Sequence, residues 1–188
     1  MDALSLLTAD HNRVRGLFAR FEAAHEGGDT AAAADLAANI LIELDVHTQI
    51  EEEIFYPAVR TDQELNDLVA EGMEEHHVVK ELGAEIRSLS PDDEAWAAKC
   101  KVVIENVEHH LEEEEEEMFP MVRKAFTAES LEGIGQSLEA RKAQLGAPTA
   151  ADKEHLTVEQ LHELATAQQI PGRSEMKREE LVATVSPT

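Results

Sequence analysis

The feature that most constrains this chain is an internal repeat of histidine and glutamate. His47-Thr-Gln-Ile-Glu51-Glu-Glu-Ile-Phe-Tyr-Pro57-Ala-Val-Arg60 aligns without gaps on His110-Leu-Glu-Glu-Glu114-Glu-Glu-Glu-Met-Phe-Pro120-Met-Val-Arg123. Asp10-His11-Asn-Arg-Val14-Arg-Gly-Leu17 aligns in the same way on Glu75-His76-His-Val-Val79-Lys-Glu-Leu82. A fold that uses this repeat must give each half one lone histidine and one His-x-x-x-Glu. On a helix, residues four apart lie about 40° apart and one turn along, so both members of the pair reach a single inward point.

The surrounding periodicity is helical. Leu4, Leu7, Val14, Phe18 and Phe21 mark a first helix from about Leu4 to His25, which Gly27-Gly28-Asp29 ends. A second runs from about Thr30 to Val59, with Pro57 predicting a kink or early stop; a third spans about Asp62 to Leu89. Ser90 reads as the cap of a fourth, with Pro91 in its first turn, which continues to about Arg123. Four long amphipathic helices on short connections predict an all-α, up-down-up-down four-helix bundle. A fifth helix, about Ala128 to Leu145, is expected to lie against its outside. The predicted domains are thus 1–145 for the bundle with its extra helix, 146–153 for a linker and 154–188 for a small helix-loop-helix tail. In that tail, Thr157-Val-Glu-Gln160 opens one short helix, and Glu175 to Val185 makes the other.

Charge and composition narrow the partners. The 188 residues carry 16 Lys and Arg against 40 Asp and Glu, a net −24, which repels phosphate backbones and draws in cations. Strong nucleic-acid or anionic-membrane binding is therefore not expected. One cysteine, Cys100, excludes an intrachain disulfide and any Cys-rich metal site. No apolar run is long enough to span a membrane, and no signal-peptide pattern opens the sequence, so the expected compartment is the cytoplasm.

Nine histidines compete for the inward positions. Stepping about 100° per residue places His110 and Glu114 on the stripe of Val103, Val107, Met118 and Met121, and leaves His109 and Glu113 off it. His76 shares a face with Leu65, Val69 and Val79, whereas His77 faces water; of Glu51, Glu52 and Glu53, only Glu51 shares the face of His47 and Ile54. The selected metal set is His11, His47, Glu51, His76, His110 and Glu114. Without metal, such a cluster would desolvate several ionisable groups at a cost of several kcal/mol. Two divalent cations would turn neutral imidazoles and carboxylates into ligands. Glu43 and Asn106, each one turn before a ligand histidine, are expected to orient the histidine rings, with Glu43 as an additional ligand the alternative. The helix wheel points Tyr56, the one tyrosine, off the site; a ligand role would require the turn at Pro57 to unwind. The run Glu112 to Glu117 reads as a solvated face apart from Glu114.

At these residues the sequence resembles the hemerythrin-like HHE cation-binding family: Asp10-His11, His47-x-x-x-Glu51 with Phe-Tyr-Pro57, Glu75-His76, and His110-x-x-x-Glu114 with Met-Phe-Pro120. The resemblance covers about the first 145 residues. It implies two iron ions per chain, bridged by Glu51 and Glu114 and by an oxo or hydroxo group. His11 and His47 would hold one iron, His76 and His110 the other. Oxygen carriers of this family use a fifth histidine from His-x-x-x-His in the third helix; here Lys80 stands in that place, in solvent along the rim. Two irons with open positions suit turnover of hydrogen peroxide, catalase-like, better than simple oxygen carriage. The alternative is a sensor or binding module for iron, oxygen or nitric oxide, without turnover. Ferritin-like storage would need Glu-x-x-His pairs facing the core, and of Glu22-x-x-His25 and Glu74-x-x-His77 the second points outward. The tail resembles the helix-loop-helix at the N-terminus of the Rho termination factor, and its charge favours a protein partner.

Overall fold

A computed structural model describes residues 1–61, 63–146 and 158–167, with Ile170, Arg173, Met176, Lys177 and Leu181. Aspartates cap the first two helices: Asp2 accepts from the Ser5 amide at 3.0 Å at the start of α1 (Ala3–Glu26), and Asp29 from the Ala32 amide at 3.0 Å at the start of α2 (Thr30–Ile50). Between them Gly28 turns the chain at φ 72°, a left-handed conformation that costs glycine nothing. After α2 the backbone passes without a break through a π turn, Glu51–Phe55, into the short helix Tyr56–Val59, with Pro57 in its first turn. α3 spans Gln63–Ser88. α4 spans Glu94–Glu113 and repeats the pattern of α2, with a π turn at Glu114–Met118 and a helical continuation Phe119–Ala125 carrying Pro120.

The start of α4 differs from the expected Ser90 cap. Ser90 Oγ accepts from the Asp92 amide at 3.3 Å within a turn, and the Asp93 carboxylate accepts from the Ala95 amide at 2.9 Å. The aspartate therefore wins the cap, leaving Pro91 in the loop.

α1 pairs with α2 and α3 with α4, while α2 meets α3 and α1 meets α4, so the four helices close a bundle. Their apolar stripes form two clusters. One holds Val14, Phe18, Phe21, Leu36, Ile40, Val79, Trp96, Cys100 and Val103; the other Leu4, Leu7, Ile50, Phe55, Val59, Leu65, Val69, Met118 and Val122. The buried histidines and carboxylates come from turns of the helices between these two sets of residues.

α5 (Ala128–Gln144), capped by Thr127, lies against α1 and α2 and buries Leu131 and Leu138 in the second cluster. Gly135 makes this approach possible: a side chain there would collide with the backbone of Met1 to Ala3. α6 (Val158–Ala167) lies against α1, with Leu161 and Ala165 buried beside Leu181. Most of the expected linker, the Thr157 cap and most of the second tail helix lie outside the described residues. Among the described residues all regular structure is helical, and no helix is long and apolar enough to cross a membrane.

Candidate metal centre

All six residues selected from the sequence are buried and converge between the helices. His11 Nε2 lies 3.3 Å from Glu114 Oε2, His47 Nε2 3.2 Å from Glu51 Oε2, and His76 Nε2 3.4 Å from the same Glu51 oxygen. His110 Nε2 stands 3.1 Å from His76 Nε2 and 3.9 Å from Glu114 Oε2. The donor atoms fall into two overlapping sets, each close enough to share one ion: His11, His47, Glu51 and Glu114, and Glu51, His76 and His110. Glu51 belongs to both.

The donor set fits cations on physical grounds. His11 Nε2, His47 Nε2, both Glu51 oxygens and Glu114 Oε2 are buried without a hydrogen-bond partner. Leaving that many polar atoms unsatisfied is costly, and all belong to groups that ligate metals. Burial and the neighbouring Glu114 carboxylate push the Glu51 pKa well above the usual range, an effect that a bound cation would offset. Burial disfavours the charged form of His11 as well, yet the nearby Glu114 carboxylate and the hydrogen bond to Glu115 raise its pKa to about 9. Burial wins at His47, which is pushed down to about 4.

The outer nitrogens reveal a ring of carboxylates that helix-face reasoning missed. His11 Nδ1 lies 2.7 Å from Glu115, His76 Nδ1 3.0 Å from Glu52, and His110 Nδ1 2.6 Å from Glu75; His47 Nδ1 is 3.9 Å from Asp10. Each carboxylate reaches across to a histidine on a neighbouring helix. The repeat relates them in pairs, Glu52 to Glu115 and Asp10 to Glu75, and that was the available signal. The outer supports are paired too: Arg15 holds Glu115 at 2.8 Å and its repeat partner Lys80 holds Glu52 at 2.6 Å. Lys80 is thus an ion-pair partner rather than a bare rim charge, and Glu115 is not merely part of a solvated run.

Three further expectations are corrected. Glu43 gives its carboxylate to Arg13 at 2.7 Å, while lining the same small cavity as His47. Asn106 is exposed and donates to the Val102 carbonyl at 2.7 Å, because α4 offers that acceptor one turn back. Tyr56 faces inward: its hydroxyl donates to Glu114 Oε1 at 3.0 Å and lies 3.4 Å from His76 Nε2, with its ring stacked on His76. The π turn supplies the reason, since one extra residue in the turn rotates everything after it. In the other half the equivalent residue, Phe119, stacks on His11. Three further histidines lie outside the six: His77 and His109 are about two-thirds exposed, His109 beside Glu75 and Glu113, and His25 stacks on Phe21 and lines a surface groove with Glu22 and Glu26.

The family model "Hemerythrin HHE cation binding domain" matches residues 2–122. A curated relative from Nostoc, named a DNA nickase, is 25% identical over 145 residues, which is 77% of this chain but 40% of that protein. The chain therefore spans about two-fifths of that relative's length. A crystal structure of a hemerythrin HHE cation binding domain-containing protein from Mycobacterium kansasii superposes with a TM-score of 0.62 at 24% identity. That superposition covers 77% of this chain and 87% of the other, and establishes a common fold.

Proposed function

Because this chain belongs to the hemerythrin HHE cation-binding family, we propose that its metal centre holds two iron ions and processes oxygen or hydrogen peroxide. The observation that carries this reading is the pair of overlapping donor sets sharing Glu51. His11 and His47 would hold one ion, His76 and His110 the other, with Glu51 and Glu114 between them. A bridged iron pair would supply a two-electron couple suited to disproportionating peroxide. The chain's own residues do the rest. Glu115, Glu52 and Glu75 fix the rings of His11, His76 and His110, and the Tyr56 hydroxyl holds Glu114 Oε1. Phe119 stacks on the His11 ring and Tyr56 on the His76 ring, so that buried aromatic faces cover one histidine in each half.

Residues 1–145 constitute the metal-binding unit in this reading, and 154–188 an appendage suited to a protein contact. A second reading, sensing of oxygen or nitric oxide without turnover, draws support from α6 lying along α1, the helix that carries His11. DNA nicking is no part of either reading, since a body at net −24 repels the phosphate backbone. The test is metal analysis with an optical spectrum, followed by oxygen evolution from added peroxide. Two irons per chain with peroxide turnover support the first reading; two irons with a stable adduct and no turnover support the second. A purified chain that binds no iron under reducing conditions overturns both.

A further inference from the structure

The two halves of the centre are unequal, and the difference lies in one carboxylate. Three outer nitrogens have close partners, His11 with Glu115, His76 with Glu52 and His110 with Glu75. The fourth carboxylate is drawn elsewhere. Asp10 Oδ1 receives Lys142 Nζ at 2.5 Å and Arg13 Nη2 at 3.0 Å, while its Oδ2 stands 3.9 Å from His47 Nδ1, which has no hydrogen-bond partner. Neither cation has an equivalent in the other half. Arg13 corresponds in the repeat to Val78, and Lys142 comes from α5, outside the repeat altogether. Lys142 is 1% exposed and Asp10 4%, so their pairing is a fixed part of the interior. A cavity of about 10 Å³, bordered by Asp10, Arg13, Glu43, Leu44, His47 and Leu111, leaves unfilled space beside the His47 ring.

A carboxylate on the outer nitrogen fixes the imidazole ring and makes it a stronger donor, an effect of about 10- to 100-fold in metal affinity. Asp10, held by two cations, gives His47 less of both. We propose that the centre binds its two metal ions unequally, the His11–His47 position being the weaker, and that Lys142 is the positioning residue that keeps it so by holding Asp10 off His47. This rests on the two-metal reading above, but not on which metal or reaction it serves.

The test is cobalt(II) titration of the metal-free full chain, followed by visible absorption and calorimetry. The expected result is two ions bound in two steps separated by about 10- to 100-fold. Lys142→Met releases Asp10 toward His47 and tightens the weaker step about tenfold, whereas Lys142→Arg keeps both steps as they are. Glu75→Gln, on the partly exposed rim, weakens the tighter step and leaves the weaker one in place. Two ions binding in a single step of equal affinity overturn the proposal, as does a Lys142→Met isotherm identical to the parent's. Should Lys142→Met not fold, Glu75→Gln decides, because weakening of the looser step by that variant reverses the assignment. Fewer than two cobalt ions per chain would instead overturn the two-metal reading, an outcome read from stoichiometry rather than from the spacing of the steps.

Discussion

A methyl group on Gly72 would sit 2.8 Å from the Tyr56 hydroxyl and 3.3 Å from His110 Cε1. That glycine, one turn before His76, makes the space that Tyr56 fills, and its partner in the repeat is the buried Leu7, in the half where Phe119 replaces the tyrosine. Gly72→Ala is expected to cost about 1–3 kcal/mol by overpacking, measured by denaturant unfolding, and to displace the phenol from Glu114. An unchanged midpoint would show that the turn relaxes freely. The choice between adjacent histidines is equally sharp. His76→Ala should lose most of the metal and His77→Ala should retain it, because the first ring is buried against Glu51 and the second is exposed beside Glu81. Metal content after dialysis distinguishes them, and loss in His77→Ala alone would refute the facing of α3.

At the scale of the elements, the sequence was most legible where helices run straight. The four bundle helices, α5 on the outside and the six inward residues follow from spacing alone, since about 100° per residue holds through α1 to α4. It misled at the π turns. Counted on a straight helix, Tyr56 lies about 180° from His47; with one residue absorbed in the turn it lies about 80° away, within reach of the centre. The four carboxylates escaped for a different reason. They flank the ligands and so fall off the stripe of their own helix, and only the arrangement of neighbouring helices shows that they point across. Lys142 carried no signal, because α5 reads as an ordinary amphipathic helix with a charged last turn. The packing of α5 also carries stability. Leu138, fully buried in the second cluster, should cost about 2–5 kcal/mol on truncation to alanine. Thermal or denaturant unfolding of Leu138→Ala measures this, and a loss below about 1 kcal/mol would mean that α5 adds little to the bundle.

For the whole molecule, charge is the dominant variable. A net −24 on 188 residues makes the folded chain repel itself, and the cluster of buried carboxylates adds to this when no cation is bound. Raising salt from about 0.02 to 0.2 M should therefore raise the melting temperature of the metal-free protein, with a smaller rise for the loaded one. A fall with salt would show that the surface ion pairs outweigh the net repulsion. Every residue of the centre and its supports lies at or before Lys142. Truncation after Leu145 is accordingly expected to leave the metal-to-protein ratio unchanged, and a truncated chain that cannot retain metal would make α6 part of the metal-binding unit.

The π turns at Glu51–Phe55 and Glu114–Met118 occupy matched places in the two halves, each starting at the glutamate of a His-x-x-x-Glu. The matched insertions give the residues that follow them the same rotation, so positions 56 and 119 both turn inward. The two halves then part at a single atom: the Tyr56 hydroxyl reaches Glu114, whereas Phe119 offers only a ring face to His11, so one side of the centre gains a proton donor that its counterpart lacks.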